Sequence, residues 1–203
     1  MAHLTRRPQK RRLRIVKNGN PALRKTSAPI EVIDDSIRTL ANQMIVSMLE
    51  NEIVGVGLAA PQVGVNKRLI VIDTSSEEIP ATEQSPGETL LNPLMPLALV
   101  NPVIVSASET TATRDEGCLS LPGVDGNVTR PAEVLLKATL LDGQEIQCQC
   151  AHLLARCLQH EIDHLDGILF IDHCSETEQK AAAPVLKQLE KAEKKYLPKQ
   201  TRP

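Results

Sequence analysis

The chain has 203 residues, 24% charged and 41% hydrophobic, and its 23 basic and 25 acidic side chains leave a formal net charge of -2. That length suits one domain able to bury a core without disulfide support, and the charge balance argues against a generic nucleic-acid binder, so no DNA partner is expected. Phe170 and Tyr196 are the only aromatic residues and tryptophan is absent, which predicts an aliphatic core and disfavours base-stacking modules.

The first fourteen residues carry Arg6, Arg7, Lys10, Arg11, Arg12 and Arg14 and no acid. Such a head suits an organellar transit segment, a polyanion contact or a solvated end, and the last is the preferred reading. No apolar run is long enough for a signal peptide or a membrane helix, so neither export nor a membrane partner is expected. The five cysteines are therefore read as thiols or ligands rather than as a disulfide frame.

Asn18-Gly19-Asn20-Pro21 is a turn signal. A helix is predicted from the caps Asp34-Asp35-Ser36 to about Asn51, with Ile37, Leu40, Ala41, Met44, Met48 and Leu49 on its buried face. Gly55 to Gln62 reads as a glycine-bearing loop and Arg68 to Asp73 as a buried strand. Residues 74–90, rich in Ser, Thr, Glu and Pro, read as a mobile surface loop. Short strands are predicted over Ala98–Val100, Val103–Ser106, Val134–Leu141 and Glu145–Cys150, the last two joined at Asp142-Gly143 as a hairpin.

A second helix is predicted over His152–Leu165. A third starts at Ser175, which with Glu178 has capping-box spacing, and Pro184 should kink or interrupt it. Val185, Leu189, Ala192 and Tyr196 would form its inner face. The expected fold is α+β, with short, mostly antiparallel strands packed around a central helix and further helices on its N- and C-terminal sides. The expected organisation is a basic tail over 1–14, a main body over 15–172 and a helical extension over 173–203.

The strongest chemical signal is His160-Glu161-Ile162-Asp163-His164. Residues four apart share a helix face, so both imidazoles can reach one metal ion, with Glu161 beside them as a general base. A metal lowers the pKa of its water to about 7, and a general base is worth roughly 10²–10⁴-fold in rate. Leu153, Leu154, Leu158, Ile162 and Leu165 place this helix in a core, where two histidines and a glutamate need partners. A catalytic metal also needs a third protein ligand. Asp166, Asp172, His173 and Glu176 follow the helix, but none has metallopeptidase spacing. The better candidate lies upstream, in Glu116-Gly117-Cys118-Leu119-Ser120.

Three segments, Gly55–Gln62, Glu116–Ser120 and Gln159–His164, resemble in order the three signature motifs of the peptide deformylase family, and the likeness extends from about Ile15 to Asp172. The resemblance implies removal of the N-formyl group from formyl-methionine on nascent polypeptides. It implies Cys118, His160 and His164 as ligands to one divalent metal, Fe2+ favoured and Zn2+, Ni2+ or Co2+ the alternatives. Glu161 would relay a proton to the leaving amine. Gln62 and the backbone N–H of Leu119 would stabilise the oxyanion. Gly55 and Gly57 would admit the peptide main chain, Val56, Leu153 and Cys157 would line the methionine pocket, and a Glu116–Arg130 ion pair would hold the cysteine loop.

The sequence departs from the family at His152, where a glycine is common, and this residue is read as a polar contact at the helix start. Cys148 and Cys150 alternate on a strand near Cys157 and are read as small buried thiols in preference to a second metal cluster. Bacterial cytoplasm is the expected location, with an organelle the alternative. Lys187, Lys191, Lys194, Lys195 and Lys199 could meet ribosomal RNA, although a solvated helix face is the simpler expectation. The rival readings are an endopeptidase of H-E-x-x-H type and an inactive metal-binding relative. The first leaves the glycine and cysteine motifs unexplained, and the second conflicts with an intact set of ligands, base and Gln62.

Overall fold

A computed structural model describes residues 12–53 and 55–197. Arg6, Arg7, Lys10, Arg11 and Lys199, to which the sequence assigned solvated or RNA-facing roles, lie outside these residues.

Seven strands form two antiparallel sheets. β1 (Gly57–Ala59), β2 (Leu69–Ile72), β3 (Leu97–Ala107), β6 (Val134–Thr139) and β7 (Glu145–Cys150) make a five-stranded sheet in the order β1-β2-β3-β6-β7, while β4 (Thr111–Gly117) and β5 (Asp125–Pro131) pair as a separate ribbon. The helices are α1 (Asp35–Leu49), α2 (Pro86–Leu91), α3 (His152–Leu165) and α4 (Glu176–Glu193). The architecture is α+β.

β2 shows why the sheet is sandwiched. All four of its residues are buried, and alternate side chains enter different cores, as a period of two requires. Leu69 and Val71 join Ile37, Ala41, Met44 and Met48 of α1. Ile70 and Ile72 join Leu154, Leu158 and Leu165 of α3. A third cluster, containing Leu121, Val128, Phe170 and Ile171, lies under the ribbon and receives Ala182 of α4.

The helix predicted from Asp34 runs over Asp35–Leu49, with the Asp34 carboxylate accepting the Ile37 N–H. Its buried face is shifted from expectation: Leu49 is exposed and Leu40 only half-buried, whereas Val46 and Ser47 are buried. Ser47 is tolerated there because its hydroxyl donates to the Gln43 carbonyl and accepts the Leu13 N–H. The segment read as a glycine loop contains strand β1, paired with β2 through Leu58 and Val71, followed by a 3-10 turn over Ala60–Val63.

Within the expected surface loop, α2 is a genuine helix. Ser85 and Glu88 form its capping box and Pro86 sits in its first turn, where a missing N–H costs nothing. The two strands predicted around Asn101-Pro102 are one long strand with register shifts between Val100 and Val103 and between Ile104 and Ser106. Asn101 takes a φ of 49° there, and its side chain satisfies both Ile30 N–H and Ile30 C=O at 2.9 Å.

α4 continues through Pro184 instead of being interrupted. Pro184 is exposed, as is Lys180, so water can reach the carbonyl the proline leaves unpaired. Its inner face also differs: Ala182, Val185 and Leu186 meet the third cluster, but Ala192 and Tyr196 are exposed. The residue buried near the end of α4 is Glu193, which pairs with Arg14 and accepts from Asn20 at 2.8 Å. Arg14 in turn lies 3.8 Å over the Tyr196 ring. No helix among the described residues is long and apolar enough to cross a membrane.

Candidate metal centre

α3 packs against β1 and β2 on one side and meets β5 on the other, so its polar stripe is held inside the molecule. His160 and His164 share that stripe. Cys118, at the end of β4 where the ribbon turns, is brought to face them. One ligand atom from each of Cys118, His160 and His164 lies within 4.8 Å of the others, the sole such group among the described residues. Cys118 Sγ is 3.2 Å from His164 Nε2.

The chemistry of these groups fits a cation. Burial holds His164 well below its ordinary pKa, which keeps it neutral with a lone pair to give, and its Nδ1 has no hydrogen-bond partner. His160 is also buried, which works against its charged form, but Cys118 and Glu116 outweigh this and raise its pKa to about 10. Positive charge is thus favoured between the thiol and the imidazoles, as a metal site with a thiolate ligand requires. His160 Nδ1 lies 2.8 Å from a Glu116 carboxylate oxygen, a contact that orients the ring and leaves Nε2 for a metal.

Glu116 is the hub behind the ligands. Burial disfavours its charge, yet hydrogen bonds with His160 and Arg130 hold its carboxyl far below the ordinary range. Arg130 donates to it at 2.7 and 3.1 Å and also reaches Asp163 at 2.8 Å. Arg156 donates to it at 2.6 Å. The expected Glu116–Arg130 pair is therefore present within a larger buried network.

Glu161 is buried beside the ligands, with one carboxylate oxygen unpartnered. Burial lifts its pKa to about 7, where a carboxylate can accept and return a proton. Gln62 is buried in the turn after β1. Its side-chain oxygen accepts the Ala59 N–H at 2.7 Å, and its amide nitrogen reaches Cys118 Sγ at 3.4 Å and Ser120 Oγ at 3.3 Å. Lys17 Nζ donates to the Leu119 carbonyl at 2.5 Å.

These groups border one cavity of about 400 Å³, lined by Gly55, Val56, Gly57, Gln62, Glu116, Cys118, Leu119, Leu153, Cys157, His160 and Glu161 among others. Of the residues singled out from sequence, His164 and Arg130 do not line it. A Cβ on Gly57 would stand 2.8 Å from both Glu161 Cδ and Cys157 Sγ, and one on Gly55 would stand 2.7 Å from Leu119 Cδ1. Both glycines therefore permit close approach.

The downstream alternatives to Cys118 are engaged elsewhere: Asp166 with Arg68, Asp172 with Arg24, His173 with Asp163 and Glu176 with Lys180. His152 has a φ of 49°, in the left-handed region that favours glycine, and its ring lies 3.2 Å from the Glu83 carbonyl. Cys148 and Cys150 are buried 3.9 Å apart in the apolar cluster under α3. Sequence reasoning missed Lys17, Asp163 and Arg156. Arg156 was detectable, because it lies four residues before His160 on the stripe that carries both histidines.

A family model described as polypeptide deformylase matches residues 12–180. The peptide deformylase of Prochlorococcus marinus strain NATL1A is 41% identical over 167 residues, 82% of this chain and 75% of that protein. Peptide deformylase 2 of Gloeobacter violaceus is 43% identical over 168 residues, 83% and 81% of the two chains. A crystal structure of the Plasmodium falciparum enzyme, 31% identical, superposes with a TM-score of 0.76 over 93% of this chain and 100% of that one.

Proposed function

Because this chain belongs to the peptide deformylase family, we propose that Cys118, His160 and His164 hold its metal and that Glu161 moves the proton in its reaction. The activity is metal-dependent hydrolysis of the N-formyl group from the formyl-methionine that begins newly made proteins. The observation that carries the residue assignment is the approach of three ligand atoms to within 4.8 Å, at a cavity that also holds buried Glu161.

When bound, the metal supplies Lewis-acid activation of water at neutral pH. The chain's own groups do the rest. The Glu161 carboxylate takes the proton released by the attacking water and delivers it to the amine nitrogen as the amide bond breaks, leaving formate and a free α-amino group. Gln62 Nε2 and the Leu119 N–H donate to the formyl oxygen as it gains charge. Gly55 and Gly57 leave room for the substrate main chain, and Val56, Leu153 and Cys157 take the methionine side chain. Glu116, fixed by Arg130, orients His160 and so acts through the ligand.

Fe2+ is the metal we favour, on the resemblance to the family, although the Cys-His-His donor set also accommodates Zn2+, Ni2+ or Co2+. The body over 15–172 carries every one of these residues, with α4 as a brace on it. The bacterial relatives support cytoplasm as the place of work, an organelle being the alternative. Exposed Lys187, Lys191, Lys194 and Lys195 on and beyond α4 support transient ribosome contact, although Lys194 also pairs with Glu190 at 2.9 Å.

The test is formate release from a formyl-Met peptide by protein loaded anaerobically with ferrous iron. Cys118→Ala should lose both metal and turnover. Glu161→Ala should keep the metal and lose turnover. A metal-loaded Glu161→Ala enzyme with full activity would overturn the assignment of the base.

A further inference from the structure

Arg156 is an unexpected residue to find buried at the wall of a pocket for an apolar side chain. It lies on the cavity-facing stripe of α3, with Leu153 and Cys157 beside it and His160 one turn on. Its guanidinium is pinned by three acceptors on the ribbon: Glu116 Oε1 at 2.6 Å, Val128 O at 3.0 Å and Ala112 O at 2.6 Å. It also lines a second, smaller cavity of about 150 Å³, together with Ala112, Pro131, Ala151 and His152. Arg156 is the one residue common to the linings given for the two cavities.

From this partition we infer that Arg156 is a specificity-determining residue: it closes the far end of the pocket for the substrate's first side chain and fixes how long that side chain can be. The inference rests on the proposed use of this cavity for formyl-methionine. Three hydrogen bonds from a planar fork hold the wall where a flexible side chain would yield. The closure is steric, so it limits length rather than selecting for charge. An unbranched side chain of methionine's length ends at the guanidinium. A longer one must displace the arginine from three acceptors or turn back on itself. Shortening residue 156 joins the two spaces into one deeper pocket.

The experiment compares formyl dipeptides whose first residue carries a butyl, hexyl or octyl side chain, using iron-loaded enzyme and kcat/KM for formate release. Wild type should favour butyl steeply, since one methylene in an apolar pocket is worth about 10–200-fold. In Arg156→Ala the octyl-to-butyl ratio should rise at least about tenfold, whatever happens to absolute activity. Arg156→Leu fills much of the space without the charge, so it should largely retain the length limit. Equal ratios in the wild type and Arg156→Ala would overturn the inference. So would equal increases in the Ala and Leu variants, because charge rather than volume would then set the limit. Should Arg156→Ala fail to fold, Arg156→Ser, comparably short but polar, should move the ratio in the same direction, and an unchanged ratio there counts against the inference. Failure of wild type to release formate from formyl-Met would sink the functional reading instead.

Discussion

Gly57→Ala isolates chemistry from stability. The added methyl would stand 2.8 Å from Glu161 Cδ and from Cys157 Sγ, whereas carbon atoms prefer about 3.5–4.0 Å. Relief therefore requires a shift of about 1 Å, and the Glu161 carboxylate is the freer neighbour because one of its oxygens has no partner. A misplacement of roughly 1 Å costs on the order of 10²-fold in rate. Overpacking of this kind costs about 1–3 kcal/mol, and the lower end applies because a side-chain tip moves rather than backbone. For a domain of this size that is a fall in Tm of about 2–4 °C per kcal/mol. The assay pairs kcat for formate release from iron-loaded protein with a thermal melt and a metal count. Full metal, a small fall in Tm and a kcat near a hundredth of wild type are expected. A kcat equal to wild type would refute the assignment of a closely fitted base. A large fall in Tm with unchanged kcat per folded molecule would show that the methyl is accommodated elsewhere.

Glu116→Ala should be severe for a different reason, leaving the buried Arg156 guanidinium without a carboxylate and Arg130 with Asp163 alone. A loss of about 3–5 kcal/mol is expected by denaturant titration, with metal affinity falling about 10–100-fold in a competition assay; a loss in the surface-pair range of about 0–1 kcal/mol would contradict the network's role. Glu178→Gln tests acid stability. The Glu178 carboxyl is pulled from 4.5 to about 2 by Ser175 and Asn127, so its contribution is complete above the unfolded value and lost as pH falls toward the folded one. The variant should melt below wild type at neutral pH and converge with it near pH 2, and a constant gap across that range would exclude the titration.

Legibility in the sequence followed burial on both faces. β2 is an uninterrupted apolar run because α1 covers one face and α3 the other. The ribbon β4–β5 gave no such signal: five of the seven residues of β4 are exposed, and polar Thr-Ala-Thr-Arg-Asp resembles a loop. α2 was hidden by Ser-Pro-Gly, which reads as a breaker although Ser85 and Glu88 carry capping-box spacing. In the site, the candidate ligands were legible because they fall in two short motifs. Asp163 was not, because a charge on a helix ordinarily faces water and only Arg130 draws it inward, and Arg156 was marked only by its place on the histidine stripe. Tyr196 failed in the opposite sense. An aromatic at helical spacing suggested an inner face, whereas the buried position belongs to a glutamate with a cation to meet.

The segment from Arg14 to Asn20 ties these parts together. Its Val16 N–H donates to the Gln62 carbonyl at 2.8 Å, its Asn18 N–H to the Ser120 carbonyl at 3.0 Å, and its Asn18 amide to the Leu186 carbonyl at 3.1 Å. The same strap meets Glu193, 179 residues beyond Arg14. Contacts so distant along the chain are costly in loop-closure entropy. The strap couples α4 to the segments bearing Gln62 and Cys118, so fraying at the end of the last helix loosens a rail that both sides of the candidate site share.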